Sequence, residues 1–302
     1  MRIAVNDTEL YFDVEGAGLV PDGHTMRERP TILLLHGGPG FDHTGFKPFL
    51  SLLADTAQLI YLDQRGQGQS ARAPIETCTP EQMADDAVAL CRALGIARPV
   101  VLGHSYGGFV ALHMAIRHPD AVGSLILVDT AAATADMGDA GATLQARYGA
   151  EARAAAERVF AGDFSEAAMA AFSHLVAPAY VGNPANLEAV SGIWARSSFN
   201  PEVASYYFRE LAPTYDPRSR LGEIRAPTLV VAGEQDWLTP PSASRVIAAG
   251  TPGADLIVIP DVGHFPFAEQ PEAFAAIVRR FLEGVRAEAL GVRENEDAAP
   301  NA

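Results

Sequence analysis

Short, unbroken apolar runs recur along this chain at 31–35, 58–62, 99–102, 124–128, 228–231 and 256–259. They lack the strict alternation of a half-exposed strand, so each predicts a strand buried on both faces of a sheet. Two further strands, 2–5 and 9–14, read as a hairpin turning at Asn6-Asp7. Segment 16–29 reads as a long turn-rich loop. Helical periodicity fills several of the gaps. It is clearest over 80–94, where Thr79 offers an N-cap and Gly95 a stop, and it recurs over 109–117. Strands alternating with helices predict βαβ units and a mostly parallel sheet, an α/β architecture.

The alternation breaks after Asp129. From 131 to 221 there is no buried-strand run; the segment is alanine-rich, with helical patterns over 149–161 and 165–176. A helical excursion between two core strands predicts an inserted cap, leaving 1–130 and 222–288 as the core. The cap segment holds 11 of the chain's 24 Phe, Trp and Tyr residues. Such rings can serve the cap's own packing or form an apolar lid over a pocket. The stretch 289–302 is polar and reads as a disordered tail.

Composition narrows the partners. The 302 residues are 48% hydrophobic and 20% charged, enough for a large core. A formal net charge of −15 argues against nucleic acid or an anionic membrane surface as a partner. No apolar run approaches the ~20 residues needed to span a bilayer. The N-terminus reads as a strand and not as a signal peptide, and Cys78 and Cys91 read as free thiols, so a cytoplasmic protein is expected.

The chemistry centres on Gly103-His104-Ser105-Tyr106-Gly107. A serine at a strand-to-helix turn presents its hydroxyl above the sheet. The five-residue pattern alone is weak, so its surroundings decide. His264, in Gly263-His264-Phe265 after the last strand, is the candidate base. Asp236, in Gly233-Glu234-Gln235-Asp236-Trp237, is the candidate acid, with Asp129 and Glu234 as alternatives. The chain order Ser105, Asp236, His264 suits a strand-edge serine hydrolase. His36-Gly37-Gly38-Pro39-Gly40 follows the run 31–35 and suits an oxyanion hole built from the N–H groups of Gly38 and Tyr106. Pro39 has no N–H to give, and His36 reads as a brace for the loop. Asp63-Gln64-Arg65-Gly66 reads as a structural turn. Phe41, Phe109, Trp194, Trp237 and Phe265 are candidate substrate contacts. The histidines and cysteines lack metal-ligand spacing, so neither metal nor cofactor is expected.

Together these motifs resemble the α/β-hydrolase fold superfamily over residues 1–288. His36-Gly37-Gly38-Pro39-Gly40 followed by Asp63-Gln64-Arg65-Gly66 looks like the prolyl iminopeptidase branch. That resemblance implies a helical cap and either removal of an N-terminal proline or hydrolysis of a related amide or ester, with a small molecule or short peptide as substrate. The branch commonly carries tryptophan after the nucleophile, where this chain has Tyr106. It also uses cap carboxylates to hold the substrate ammonium; Glu188, Glu202 and Glu210 are acids in that region, though no motif marks them. Two other readings share the motifs: a carboxylesterase or lactonase acting on small apolar esters, and a receptor-like homologue that binds a ligand without turning it over. A serine at the nucleophile position argues against the epoxide hydrolases and haloalkane dehalogenases, which place aspartate there.

Overall fold

A computed structural model of the chain describes residues 1–289. All but the first residue of the tail expected at 289–302 lies outside the described residues. Among the described residues ten strands form: β1 (Arg2–Val5), β2 (Thr8–Glu15), β3 (Leu19–Asp22), β4 (Thr25–Glu28), β5 (Thr31–Leu35), β6 (Gln58–Leu62), β7 (Val100–His104), β8 (Ser124–Val128), β9 (Thr228–Gly233) and β10 (Asp255–Ile259). Eight of them make one sheet in the order β1-β2-β6-β5-β7-β8-β9-β10. β1 and β2 run antiparallel at one edge, and from β6 to β10 every neighbouring pair is parallel.

The expected loop at 16–29 is corrected. It holds the separate two-stranded hairpin β3–β4, in which Pro21 pairs with Met26. Its side chains are mostly exposed, so no buried stripe marked these strands in the sequence.

The helices are α1 (Pro80–Ala93), α2 (Tyr106–Arg117), α3 (Ala140–Tyr148), α4 (Ala150–Phe160), α5 (Glu166–Leu175), α6 (Leu187–Arg196), α7 (Pro201–Tyr206), α8 (Pro241–Gly250), α9 (Pro266–Glu269) and α10 (Pro271–Ala289). Thr79 caps α1, its hydroxyl accepting the Gln82 N–H, and Gly95 follows the helix at φ +71°. Successive residues of β5 serve opposite faces. Leu33 and Leu35 pack with α1 and α2, while Ile32 and Leu34 pack toward α10. Each such fully buried side chain contributes about 1.5–3 kcal/mol, which is why these strands read as continuous apolar runs.

α3 to α7 form a helical insertion between β8 and β9. Because β5 to β10 are parallel, the loops after them all emerge at one edge of the sheet, where open α/β sheets build sites. Register brings particular loops together: Leu35 pairs with Gly103, Val128 with Val231, and Gly233 with Ile259.

Candidate active site

Ser105 sits between β7 and α2 with φ +52° and ψ −120°, a conformation L-residues rarely adopt. Its N–H donates to Val128 O, and its carbonyl accepts from the Gly108 N–H and the Thr130 hydroxyl. The elbow also needs glycine beside it, since a Cβ at Gly107 would lie 1.9 Å from the Leu35 carbonyl oxygen. Ser105 is buried but faces a cavity of about 830 Å³ beneath the insertion, and His264 lines the same cavity.

His264 donates from Nδ1 to Asp236 Oδ2 at 2.7 Å. That bond leaves Nε2 as the ring's free acceptor. Asp236 also accepts from the Leu238 N–H, the Thr239 N–H and the Thr239 hydroxyl. Burial alone would raise its pKa; His264 and these donors hold it below the usual carboxylate value. Asp129 and Glu234 take other partners. Asp129 accepts the Gly233 N–H, and burial followed by the Asp236 charge pushes its carboxyl well above the ordinary range. Glu234 is exposed.

The loop after β5 lies against the serine: a Cβ on Gly37 would come 3.2 Å from the Ser105 Cβ. His36 is buried and its pKa is lowered by burial, so it braces as a neutral ring. Its Nδ1 lies 2.8 Å from Gly37 O, and the Gln64 amide donates to His36 O. Gly38 and Tyr106 both border the cavity beside Ser105. The turn after β6 is structural. Asp63 accepts from the His43 and Gln69 N–H groups, and Arg65 pairs with buried Asp86 and with Asp7.

Phe41, Phe109, Trp194 and Phe265 line the cavity. Trp237 does not. It is 2% exposed and packs behind the wall, its ring 5.6 Å from Tyr180 and 6.3 Å from Phe160. Every aromatic residue of the insertion except Tyr148, Tyr206 and Tyr215 faces the cavity. Glu188, Glu202 and Glu210 are exposed and lie off the wall. The acids that border the cavity are Asp42, already bonded to Thr44 and Ser198, and Glu166, which is exposed. Among the described residues no three His, Cys, Asp or Glu side chains group to hold a metal ion. No described helix is long and apolar enough to cross a membrane.

Several contributors carried no motif of their own. His104, the variable residue of the serine motif, contacts the His264 carbonyl from Nε2 at 2.8 Å. Burial, then the neighbouring His264, drive its pKa down to about 3, so the ring is a neutral donor. The insertion is stitched to the core along two seams. The His264 N–H donates to Tyr180 O at 2.8 Å. At the other seam Asn200 donates from its N–H to Gly40 O and from Nδ2 to Gly66 O, while Ser198 donates to Asp42. Thr239, three residues after Asp236, was the one partner that local spacing could have suggested.

Comparison with known proteins agrees with this fold. Residues 30–271 match the alpha/beta hydrolase fold family, and the chain belongs to it. It is 30% identical over 281 residues to the proline iminopeptidase PfmaB of Pestalotiopsis fici, covering 90% of this chain and 99% of that one. A proline iminopeptidase from Mycobacterium smegmatis has a similar structure, with a TM-score of 0.75, 27% identity and coverage of 96% and 99%. A thermophilic esterase from Thermogutta terrifontis has a TM-score of 0.71, 29% identity and coverage of 94% and 98%. The chain is thus a hydrolase-family protein whose relatives include both peptidases and esterases.

Proposed function

We propose that this protein is a serine hydrolase that cleaves small, uncharged, apolar esters through an acyl-enzyme. His264 Nε2 takes the proton from Ser105 Oγ as the oxygen attacks the carbonyl carbon. The N–H groups of Gly38 and Tyr106 hold the developing oxyanion. When the tetrahedral intermediate collapses, the C–O bond to the leaving group breaks and His264 returns the proton to that alkoxide. Water, deprotonated by His264, then attacks the acyl carbon, and Ser105 departs with the proton. Asp236 keeps the imidazole in the required tautomer and stabilises its charged form.

The observation that carries the substrate class is the wall around Ser105 and His264. It is dominated by aromatic and aliphatic side chains, and its buried acid, Asp42, is already bonded. An N-terminal ammonium would lose its hydration there with little to replace it. The iminopeptidase reading draws support from the Pestalotiopsis and Mycobacterium relatives. On that reading Glu166, at the cavity border, is the acid to meet the ammonium. Rates on short p-nitrophenyl esters and on proline arylamide, each measured beside Ser105→Ala, separate the two. Ester turnover without arylamide cleavage is expected; the reverse result would reject the ester reading.

A further inference from the structure

Glu269 ends the short helix α9, is 6% exposed, and takes no part in the chemistry above. Its Oε1 accepts the Gly263 N–H at 2.8 Å and its Oε2 accepts the Gly182 N–H at 2.8 Å. The backbone N–H groups of Asn183 and Phe265 also act to lower this carboxyl's pKa. Gly263 and Phe265 flank His264 in sequence, whereas Gly182 and Asn183 belong to the insertion. Burial raises the carboxyl's pKa, and the surrounding backbone N–H groups oppose that rise.

The two backbones meet directly here. A Cβ on Gly182 would come 2.5 Å from Asp261 O, and one on Gly263 would come 2.3 Å from Tyr180 O. Beside them runs the His264 N–H bond to Tyr180 O. One carboxylate therefore spans the loop that carries the imidazole and the strip of insertion lying against it.

We infer that Glu269 is a positioning residue: it fastens the His264 loop to Gly182 of the insertion and thereby sets the imidazole against Ser105. The role rests on the proposed Ser105–His264 chemistry. Two acceptor oxygens are needed, because both faces of the joint present N–H donors. Glutamine has the same shape but offers one acceptor, and its NH₂ would confront an N–H that needs a partner.

The test compares full-length wild type, Glu269→Gln and Glu269→Ala. The readouts are kcat and KM on a p-nitrophenyl ester, the rate of covalent labelling by a fluorophosphonate, and the thermal midpoint. The kcat should fall about tenfold in Glu269→Gln and on the order of 10²-fold in Glu269→Ala, as small misplacements of reacting groups do. KM should stay within about threefold, and labelling should slow in step with kcat at temperatures where the variants remain folded. The isosteric glutamine keeps the test open if alanine fails to fold. Unchanged kcat and labelling in folded Glu269→Gln, or a change confined to KM, would overturn the role. An unlabelled wild type would instead remove the Ser105 reading, and the positioning role with it.

Discussion

At the sheet edge, Ser105, Asp236 and His264 are each held by hydrogen bonds from neighbouring strands and loops. Across the cavity, Phe160, Phe172 and Phe208 face the same space with no polar atom on their side chains, and Phe160 packs against the other two at 6.1 and 5.3 Å. The two walls differ in what fixes them. Directional bonds fix the polar wall, so a small displacement is costly there. Non-directional packing fixes the aromatic wall, so rings can be exchanged and repacked. Chemistry should therefore respond to the first wall and substrate range to the second.

The sharpest way to break that division is at the proposed nucleophile. Ser105→Ala should lower kcat by on the order of 10⁵ for every ester tested while the melting curve stays in place. A variant retaining wild-type turnover would remove the polar wall from the chemistry. Trp194→Ala probes the aromatic wall, where the ring packs 5.2 Å from Tyr180 and 5.8 Å from Phe265. Its kcat/KM should drop about ten- to a hundredfold for long-chain esters and little for acetates. An equal loss on both would mean that this wall also governs the chemical step.

Smaller effects appear as stability against pH. His104 titrates near 6.5 when unfolded and at about 3 when folded. Below pH 6.5 the unfolded chain binds a proton that the folded chain does not, so stability falls as pH drops toward 3. The slope from this group is at most about 1.4 kcal/mol per pH unit. Burial lowers His36 in the same direction. His104→Gln keeps an N–H for the His264 carbonyl without titrating, and denaturant melts between pH 7 and 5 should show a shallower acid slope.

Asp129 has the opposite sign, because its folded pKa is raised. As pH climbs above the unfolded value of 3.8, the unfolded chain loses a proton that the folded chain keeps, and stability declines until the folded group titrates. Asp129→Asn can still accept the Gly233 N–H. Relative to wild type it should gain stability as pH rises, and it should leave kcat within about threefold of wild type. A collapse of kcat would mean that Asp129 acts on the chemistry through Asp236.

What the chain disclosed in advance follows the same division. The parallel strands were legible because burial on both faces demands continuous apolar runs, as in Thr31–Leu35 and Ser124–Val128. The loops after them were legible because glycine and histidine cluster where backbones must approach closely. β3 and β4 were not, since exposed strands need no apolar pattern. Trp237 was misplaced because adjacency to Asp236 in sequence says nothing about which side of a wall a ring takes. The Glu269–Gly182 and Tyr180–His264 bonds were silent because each joins segments of the chain that only the fold brings together.

The seam at Asn200 has a consequence for how such a protein can change. Asn200 holds the carbonyls of Gly40 and Gly66, in the loops after β5 and β6, from within the insertion. The insertion is therefore not an interchangeable module. A chimera carrying another protein's lid would inherit new rings for new substrates, yet would leave those carbonyls without their donors unless the graft brought equivalent ones. Diversification by ring replacement is open to this architecture, whereas wholesale lid exchange requires both seams to be rebuilt with it.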